Sequence, residues 1–575
     1  VYIIFRKNII IANSEHGMSE ALEGFIPYAQ EDAEKYNALR WWYGLPLGDI
    51  LDRAADIHPD KEAFVDQKSR LTYDQAREKA DRMAIGLLEL GIRPMDRVMV
   101  QLPNWNEFVF AYFGLQKIGA IPVLLIDRYR QFEIIPLSRL SGATAWIVPE
   151  KYKKTDYVPI INDVLNQNQN IQHVITVRGR GEFSRASRME QVIENSDLTE
   201  KDQARLAKFR PDPMQVAHMG PTGGTTGAPK LVPRTHNSLI TGFDFCSKAW
   251  QQHSEDVNLL PGPIGHDLTY SKGFIGGILS MGKIVFIDST DNKDMFETIE
   301  KEKVTSMVLV PALARRMLQF EDMHKYDLSS LKKMHSAGGA SHPDLVRDVT
   351  FKFNMKFYNG YGATEGITTI TRSYDQLETI CSTVGRPTCP YDTYKVIDAD
   401  ANELPAGEQG ELVLKGPGVF TGYYRNPEEN AKAFTKDGFF KTGDVARIDA
   451  HGYITITGRL KEMINRGGES ISAPEIERLI SLHPQVAAVA VVPMPDPDLG
   501  ERACAYIELR PGAELSFDQL ISFLKSQKAS VLQLPERIEY VTEMPYTGAH
   551  KLDKKALIKD IKAKLNSERP MNQDE

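Results

Sequence analysis

Hydrophobic positions along the chain switch repeatedly between two patterns. In LTYDQAREKADRMAIGLLELG (71–91) leucine and isoleucine recur every three or four residues, which predicts an amphipathic helix. RVMVQLP (97–103), AIPVLLI (120–126), AWIVP (145–149), HVITV (173–177), KIVFID (283–288) and SMVLVP (306–311) are instead short, unbroken apolar runs rich in β-branched residues. A strand buried on both faces has no polar side to alternate with, so such runs between helices predict parallel sheets. The pattern changes near residue 380. GELVLKGPGVFTGYY (410–424) and GYITITGRLKEMI (452–464) predict antiparallel strands joined by glycine turns. From about 461 a compact α+β unit is expected: helix 473–483, strands 486–494 and 503–509, helix 517–527 and strand 537–541. The fold class is therefore α/β, a large N-terminal body with a small C-terminal domain. That layout suits a lid closing over a charged substrate.

Composition narrows the class. The 575 residues are 42% hydrophobic and 25% charged, which is ordinary for a globular chain of two to four domains. Sixty-nine basic against 77 acidic side chains leave a net charge of −8, with no general pull towards nucleic acid or anionic membrane. Cys246, Cys381, Cys389 and Cys504 show no CxxC spacing, so neither a zinc site nor a disulfide framework is read, and a reducing, cytoplasmic setting is expected. No stretch approaches the ~18 apolar residues of a membrane span. Arg6, Lys7 and Asn8 interrupt the N-terminal VYIIFRKNIII too early for a signal-peptide core, and Met18 reads as a native start behind an upstream extension, residues 1–17.

Five segments carry candidate chemistry. PTGGTTGAPK (221–230) offers Thr222, Gly223, Gly224, Thr225, Thr226 and Gly227, whose backbone N–H groups and hydroxyls suit phosphate oxygens, with Lys230 to balance their charge. It is not a Walker A loop, because Ala228 and Pro229 stand where that motif needs glycine and lysine. FYNGYGATEG (357–366) offers the faces of Tyr358 and Tyr361 for a purine, and Thr364 and Glu365 for a phosphate and its Mg²⁺. KTGDVARID (441–449) places Asp444 after a tight turn, suited to two ribose hydroxyls. GRLKEMINRGGES (458–470) supplies Arg459 for ribose or phosphate, and MPYTGAHKLDKKAL (544–557) presents Lys551 ahead of a basic helix. Each alone has a bland reading: a surface loop, a glycine turn, a β-turn, a solvated lysine.

Taken in this order, the five segments resemble the adenylate-forming (ANL) superfamily of acyl-CoA synthetases, luciferases and peptide-synthetase adenylation domains, over about residues 40–560. RWWYGLPLGDIL (40–51), KLVPRTHN (230–237) and INRGGESISAPEIE (464–477) look closer to stand-alone aryl-acid adenylating enzymes of the 2,3-dihydroxybenzoate–AMP ligase type. The resemblance implies a lead-in at 1–39, an N-terminal domain at 40–460 that includes a distorted β-barrel, and a mobile lid at 461–575 hinged at Lys461. It implies two half-reactions. A small carboxylic acid attacks the α-phosphorus of ATP, and a thiol from CoA or a carrier-protein phosphopantetheine then displaces AMP; the sequence is reversible, so it could also make ATP. Residues 222–230 would hold the β and γ phosphates. Gly338, Gly339 and Ala340, with Asn359, Gly360 and Tyr361, would form the adenine slot. Thr364 would meet the α-phosphate, Glu365 would hold Mg²⁺, Asp444 and Arg459 would grip the ribose, and Lys551 would neutralise the reacting phosphoryl group. CoA is the leading acceptor, an aryl carrier protein the second, and an adenylating protein without thiol transfer the third. A homodimer is compatible with the family.

Two departures concern specificity. In GPIGHDLTYSKG (262–273), aligned with the family's acid pocket, His266 is followed by Asp267 where aryl-acid enzymes tend to carry asparagine. Asp267 accepts from a ring hydroxyl, pairs with a substrate amino group, or bonds to protein, for example His266 or Lys272, and leaves an unsubstituted, apolar ring acid as substrate; the last is preferred. His550 stands where relatives usually carry glycine before the lysine, and is expected to tune the approach of Lys551.

Overall fold

A computed structural model describes residues 22–181, 183–196, 198–222, 229–460, 463–466, 469–496, 499–527, 529, 533–547 and 552–568. Among these, two large sheets carry the body. The first has nine strands in the order Arg386–Pro387, Ile367–Ile370, Lys356–Ala363, Lys333–Ser336, Ser306–Leu309, Val257–Leu260, Lys283–Phe286, Glu62–Val65 and Arg70–Thr72. Its interior pairings are parallel and its edges antiparallel. The second has seven strands, ordered Lys230–Thr235, Val216–Thr222, Ile121–Leu124, Arg97–Val100, Ala145–Pro149, His173–Val177 and Ser187–Arg188, all parallel except the hairpin at the first edge. The short apolar runs are thus the buried parallel strands that their composition demands.

Helix Tyr73–Glu89 begins where it does because Thr72 and Gln75 form a capping box, with Gln75 N donating to Thr72 Oγ1 at 3.2 Å and Thr72 N to Gln75 Oε1 at 3.0 Å. Its face of Ala76, Ala80, Met83, Ala84, Leu87 and Leu88 is buried in the main core with helix Asn106–Lys117.

The antiparallel region forms a third, four-stranded sheet: Thr393–Ile397, Gln409–Lys415, Phe440–Ile448 and Ile454–Arg459. Among the described residues it is an open path, not the closed distorted barrel expected from the resemblance. Each strand pairs only with its chain neighbours.

In the C-terminal region the long hairpin Val486–Asp496 and Gly500–Leu509 divides two small cores by simple alternation. Val491, Ala503, Ala505 and Ile507 face helices Ala473–Ser481 and Phe517–Ser526. Val492, Cys504 and Tyr506 face helix Lys554–Glu568 through Leu557 and Ile561. The four cysteines are buried free thiols. No helix among the described residues is long and apolar enough to cross a membrane.

Candidate active site

The phosphate-loop segment is a hairpin. Strands Val216–Thr222 and Lys230–Thr235 are antiparallel, with Thr222 directly opposite Lys230. A Walker loop leads into a helix; this one leads into a second strand, so lysine emerges at the base of the hairpin rather than at a helix N-terminus. Gly223, Gly224, Thr225, Thr226 and Gly227 lie outside the described residues. Lys230 pairs with Glu429, and its Nζ stands 4.6 Å from the Tyr423 ring centroid. Tyr423 donates its hydroxyl to Glu365 Oε1 at 2.9 Å.

Glu365 occupies the turn between strands Lys356–Ala363 and Ile367–Ile370. Gly366 closes that turn at φ +108°, where a Cβ would collide with the Gly418 carbonyl, so glycine is required. Glu365 is buried, and its own backbone carbonyl accepts from Phe420 N at 2.8 Å. Burial raises its carboxyl above the ordinary range, and the Asp267 charge adds to the rise; the Tyr423 hydrogen bond and Lys230 oppose it. A buried carboxylate facing a second negative charge fits a cation. Among the described residues no group of three acidic, histidine or cysteine side chains could hold a metal alone. That donor set suits Mg²⁺, which takes one or two carboxylates and completes its shell with water and substrate phosphates.

Arg234, which motif reading passed over, locks this corner. Only 2% exposed, it donates to the carbonyls of Thr364 at 3.0 Å and Gly418 at 2.5 Å. Gly418 N in turn donates to Asp392 Oδ1 at 2.9 Å. Burial pushes the Asp392 carboxyl up to about 7, against the pull of that N–H and of Arg234. Because the native state keeps this proton above the ordinary carboxylate range, stability falls as pH rises from about 4 towards 7. Asp392→Asn removes the dependence. The melting midpoint of the variant relative to wild type is expected to rise by about 2–4 °C between pH 5 and pH 8. Parallel wild-type and variant melting curves across that range would refute the assignment.

The ribose candidates are held together. Asp444 pairs in register with Arg459 across the third sheet, and Arg459 Nε donates to Asp444 Oδ1 at 2.6 Å. Tyr361 donates its hydroxyl to Asp444 Oδ2. Asp444 N is fixed by Thr442 Oγ1 at 2.9 Å, and Thr442 by the Leu412 carbonyl at 2.8 Å. Gly338, Gly339 and Ala340 follow strand Lys333–Ser336, with Gly339 and Ala340 exposed. One expected adenine face, that of Tyr358, is corrected. Tyr358 is buried in the core beside Trp250, with its hydroxyl on Gln251 at 3.2 Å. Asn359 is buried and commits its amide N–H groups to the carbonyls of Ile380 at 3.2 Å and Thr383 at 2.9 Å.

Beside this corner lies a cavity lined by Leu124, Ile126, His218, Asp267, Tyr270 and Thr364, among others. Tyr270 shares a 2.5 Å hydrogen bond with Tyr112, and its ring stands 4.7 Å from that of His218. His218 is buried and held neutral, with a pKa lowered to about 3 by burial first and the Arg234 charge second. Asp267 precedes the π-helix Leu268–Ile275. Asp267 bonds to protein through Ser271, whose Oγ donates to Asp267 Oδ2 at 3.5 Å, and not to Lys272, whose Nζ stands 5.5 Å from the Phe243 ring centroid. Lys461, His550 and Lys551 lie outside the described residues.

Residues 51–424 match the model of the AMP-binding enzyme family, and residues 475–551 match that of the AMP-binding enzyme C-terminal domain. The chain is 36% identical over 549 residues to a 2,3-dihydroxybenzoate-AMP ligase of Bacillus subtilis (strain 168), covering 95% of this chain and 99% of the relative. It is 34% identical over 547 residues to a salicylyl-CoA synthase / salicylate adenylyltransferase of a Streptomyces species, covering 95% and 99%. Among solved structures it superposes with TM-score 0.82 on an anthranilate CoA ligase, AuaEII, in complex with anthranoyl-AMP; identity is 23%, with 91% of this chain and 98% of that one covered, a likeness of fold.

Proposed function

The chain belongs to the AMP-binding enzymes of the adenylate-forming superfamily, and on that premise we propose that it adenylates an aromatic or cyclic carboxylic acid and transfers the acyl group to the thiol of CoA. One observation carries the reading. The lining of a single cavity runs from Thr364, next to the buried Glu365, to Asp267 and Tyr270, so an acid seated there has its carboxylate beside the phosphate corner.

In the first half-reaction a carboxylate oxygen bonds to the α-phosphorus of ATP, the bond to the bridging oxygen breaks, and pyrophosphate leaves. Two anions must meet, so positive charge has to be pre-placed. Lys230 is poised at the hairpin base for the β and γ phosphates and would exchange Glu429 for them. Arg234 fixes the Thr364 backbone, and Thr364 would meet the α-phosphate. Glu365 would hold Mg²⁺, which when bound screens the phosphate oxygens. Asp444 and Arg459 would hold the ribose, and Lys551 would neutralise the phosphoryl centre. In the second half-reaction the thiol attacks the acyl carbon, the acyl–oxygen bond breaks and AMP leaves. The lid, residues 461–575 about Lys461, would turn to exchange Lys551 for the thiol path.

The discriminating measurement is AMP release from ATP and Mg²⁺ with a panel of ring acids, with and without CoA. Saturable, CoA-dependent AMP release is the expected result. Pyrophosphate exchange that ignores free CoA would assign the acceptor to a separate carrier protein, the second reading. No exchange with any carboxylic acid would refute the function.

A further inference from the structure

The tryptophans of RWWYGLPLGDIL (40–51) have no part in the reaction as described, yet one of them and the chain before it are bonded to the loop that holds Glu365. That loop, residues 416–425, runs between strand Gln409–Lys415 and helix Pro427–Ala433 and belongs to no strand or helix. It has three glycines in ten residues. A segment without a ladder must find partners for its amides elsewhere, and those partners set its shape. On the inner side Phe420 N donates to the Glu365 carbonyl at 2.8 Å and the Tyr423 hydroxyl to Glu365 Oε1 at 2.9 Å. On the outer side the partners are N-terminal. Trp42 Nε1 donates to the Pro417 carbonyl at 3.0 Å, and the Tyr28 hydroxyl donates to the Val419 carbonyl. The Thr421 hydroxyl donates to the Ile26 carbonyl, and Arg425 N to the Gly24 carbonyl at 3.0 Å. Lys415 pairs with Asp32 at 3.0 Å.

These bonds come in opposed pairs. A trans peptide is planar, so its carbonyl and the following N–H point opposite ways. In the unit joining 417 to 418 the carbonyl accepts from Trp42 and the N–H donates to Asp392. In the unit joining 419 to 420 the carbonyl accepts from Tyr28 and the N–H donates to Glu365. Each unit is clamped from both sides, and turning either plane breaks two bonds together. The clamping side chains are themselves braced. Trp42 is buried, with the rings of Tyr28 and Tyr36 edge-on to it at 4.9 and 5.0 Å. Beyond Trp42 the arm is tied to helix His236–Ala249, where Thr241 Oγ1 donates to the Trp41 carbonyl at 3.1 Å and Leu47 N to His236 Nδ1 at 2.9 Å. That helix follows the strand that begins with Lys230.

We propose that Tyr28 and Trp42 are positioning residues for adenylation: the N-terminal arm, residues 22–47, sets the Glu365 carboxylate for its cation by pinning the 417–420 peptides between itself and the site. The inference rests on the proposed adenylation and on Glu365 as the carboxylate for Mg²⁺. Neither side chain lines the cavity beside Thr364, so their effect passes through the loop. A carboxylate that must meet a small, geometrically demanding cation depends on the groups that hold it, and loosening them lowers metal affinity before it alters the fold.

The test uses the full chain as wild type, Tyr28→Phe, Tyr423→Phe, the double variant and Glu365→Gln. Two readouts are taken: Mn²⁺ binding to the chain holding a non-hydrolysable ATP analogue, followed by electron paramagnetic resonance, and pyrophosphate exchange across a range of Mg²⁺ concentrations. Tyr28→Phe deletes one oxygen and keeps the ring beside Trp42. It is expected to weaken Mn²⁺ binding and raise the half-saturating Mg²⁺ by about fivefold, with KM for the acid changed by less than about twofold. The double variant is expected to lose less than the product of the two single losses, because both act on one loop. A merely structural bond would lower the folded fraction, and so the rate at every Mg²⁺ concentration by one factor, without moving either midpoint. A folded Tyr28→Phe with wild-type midpoints overturns the positioning role and leaves adenylation standing. Should Tyr28→Phe not fold, Thr421→Val decides in its place: midpoints raised by about threefold support the role, and wild-type midpoints overturn it. If Glu365→Gln also binds Mn²⁺ as wild type does, the metal assignment is wrong and the arm has no cation to serve. Exchange by wild type with none of the ring acids removes the adenylation reading, and the positioning role with it.

Discussion

Glu365→Gln is expected to cut pyrophosphate exchange by about 1,000-fold or more while leaving the fold intact. The two halves of that expectation come from the same geometry. Glu365 is 6% exposed, sits beyond the reach of bulk water, and bonds one oxygen to Tyr423. Glutamine has the same shape, and its carbonyl can accept the Tyr423 hydroxyl, so no cavity opens and no donor is orphaned. Burial has already raised the carboxyl, and a group in that position costs stability when ionised; the amide removes the cost, so the melting midpoint at pH 8 should hold or rise. What is lost is the negative charge. Lys230 would still face the β and γ phosphates, but a bound Mg²⁺ would have no carboxylate from Glu365 to hold it. Exchange measured at saturating acid across a range of Mg²⁺ concentrations separates the causes. Partial recovery at high Mg²⁺ identifies Glu365 as the metal's protein ligand. A variant within tenfold of wild type at every concentration would show that the metal is held elsewhere.

How much of this corner could be read from the chain alone depends on whether a role lives in one segment or between several. Asp444 and Arg459 could be singled out because a Thr-Gly turn and a Gly-Arg strand end are local features; the structure adds that the register of one hairpin pairs them, and their hold on a ribose is the proposed role. The parallel strands were legible because both their faces are buried. Tyr358 misled for that same reason: its strand lies inside the nine-stranded sheet, where an aromatic side chain is explained by the core and needs no ligand. Arg234, Tyr423 and Glu429 were passed over because each acts on a residue more than 50 positions away, and no spacing in the sequence encodes such a meeting. Asp267 bonds to protein as expected, but through Ser271 and not through Lys272, and the reason is secondary structure. A π-helix cannot be told from an α-helix by apolar periodicity over eight residues, and in this one the lysine stem runs to Phe243 rather than back to the carboxylate. The barrel failed because closure depends on which edges meet, and strand patterning is silent on that.

The proposed ribose grip yields the second large effect. Asp444 is 3% exposed, and both of its oxygens already accept from protein, one from Arg459 and one from Tyr361. A carboxylate offers about four lone-pair positions, so two protein donors orient it and still leave room for two sugar hydroxyls. Asp444→Ala removes the acceptor that both Arg459 Nε and the Tyr361 hydroxyl use. kcat/KM for ATP is expected to fall by about 100- to 1,000-fold, with most of the loss in KM, because the ribose does not react. Asp444→Asn, with one oxygen for two hydroxyls, should fall between. Tyr361→Phe should cost about tenfold or less, since it loosens the carboxylate without deleting it. A purely structural Asp444 would also lower activity, so the informative readout is the nucleotide. Wild type should discriminate against 2′-deoxy- and 3′-deoxy-ATP, and Asp444→Ala should treat them nearly as it treats ATP, because the partner of the missing hydroxyl is gone from both sides of the comparison. If the alanine variant still discriminates as strongly as wild type, the ribose is held by other groups, and the Tyr361–Asp444–Arg459 cluster serves to fasten the third sheet to the strand that carries Glu365.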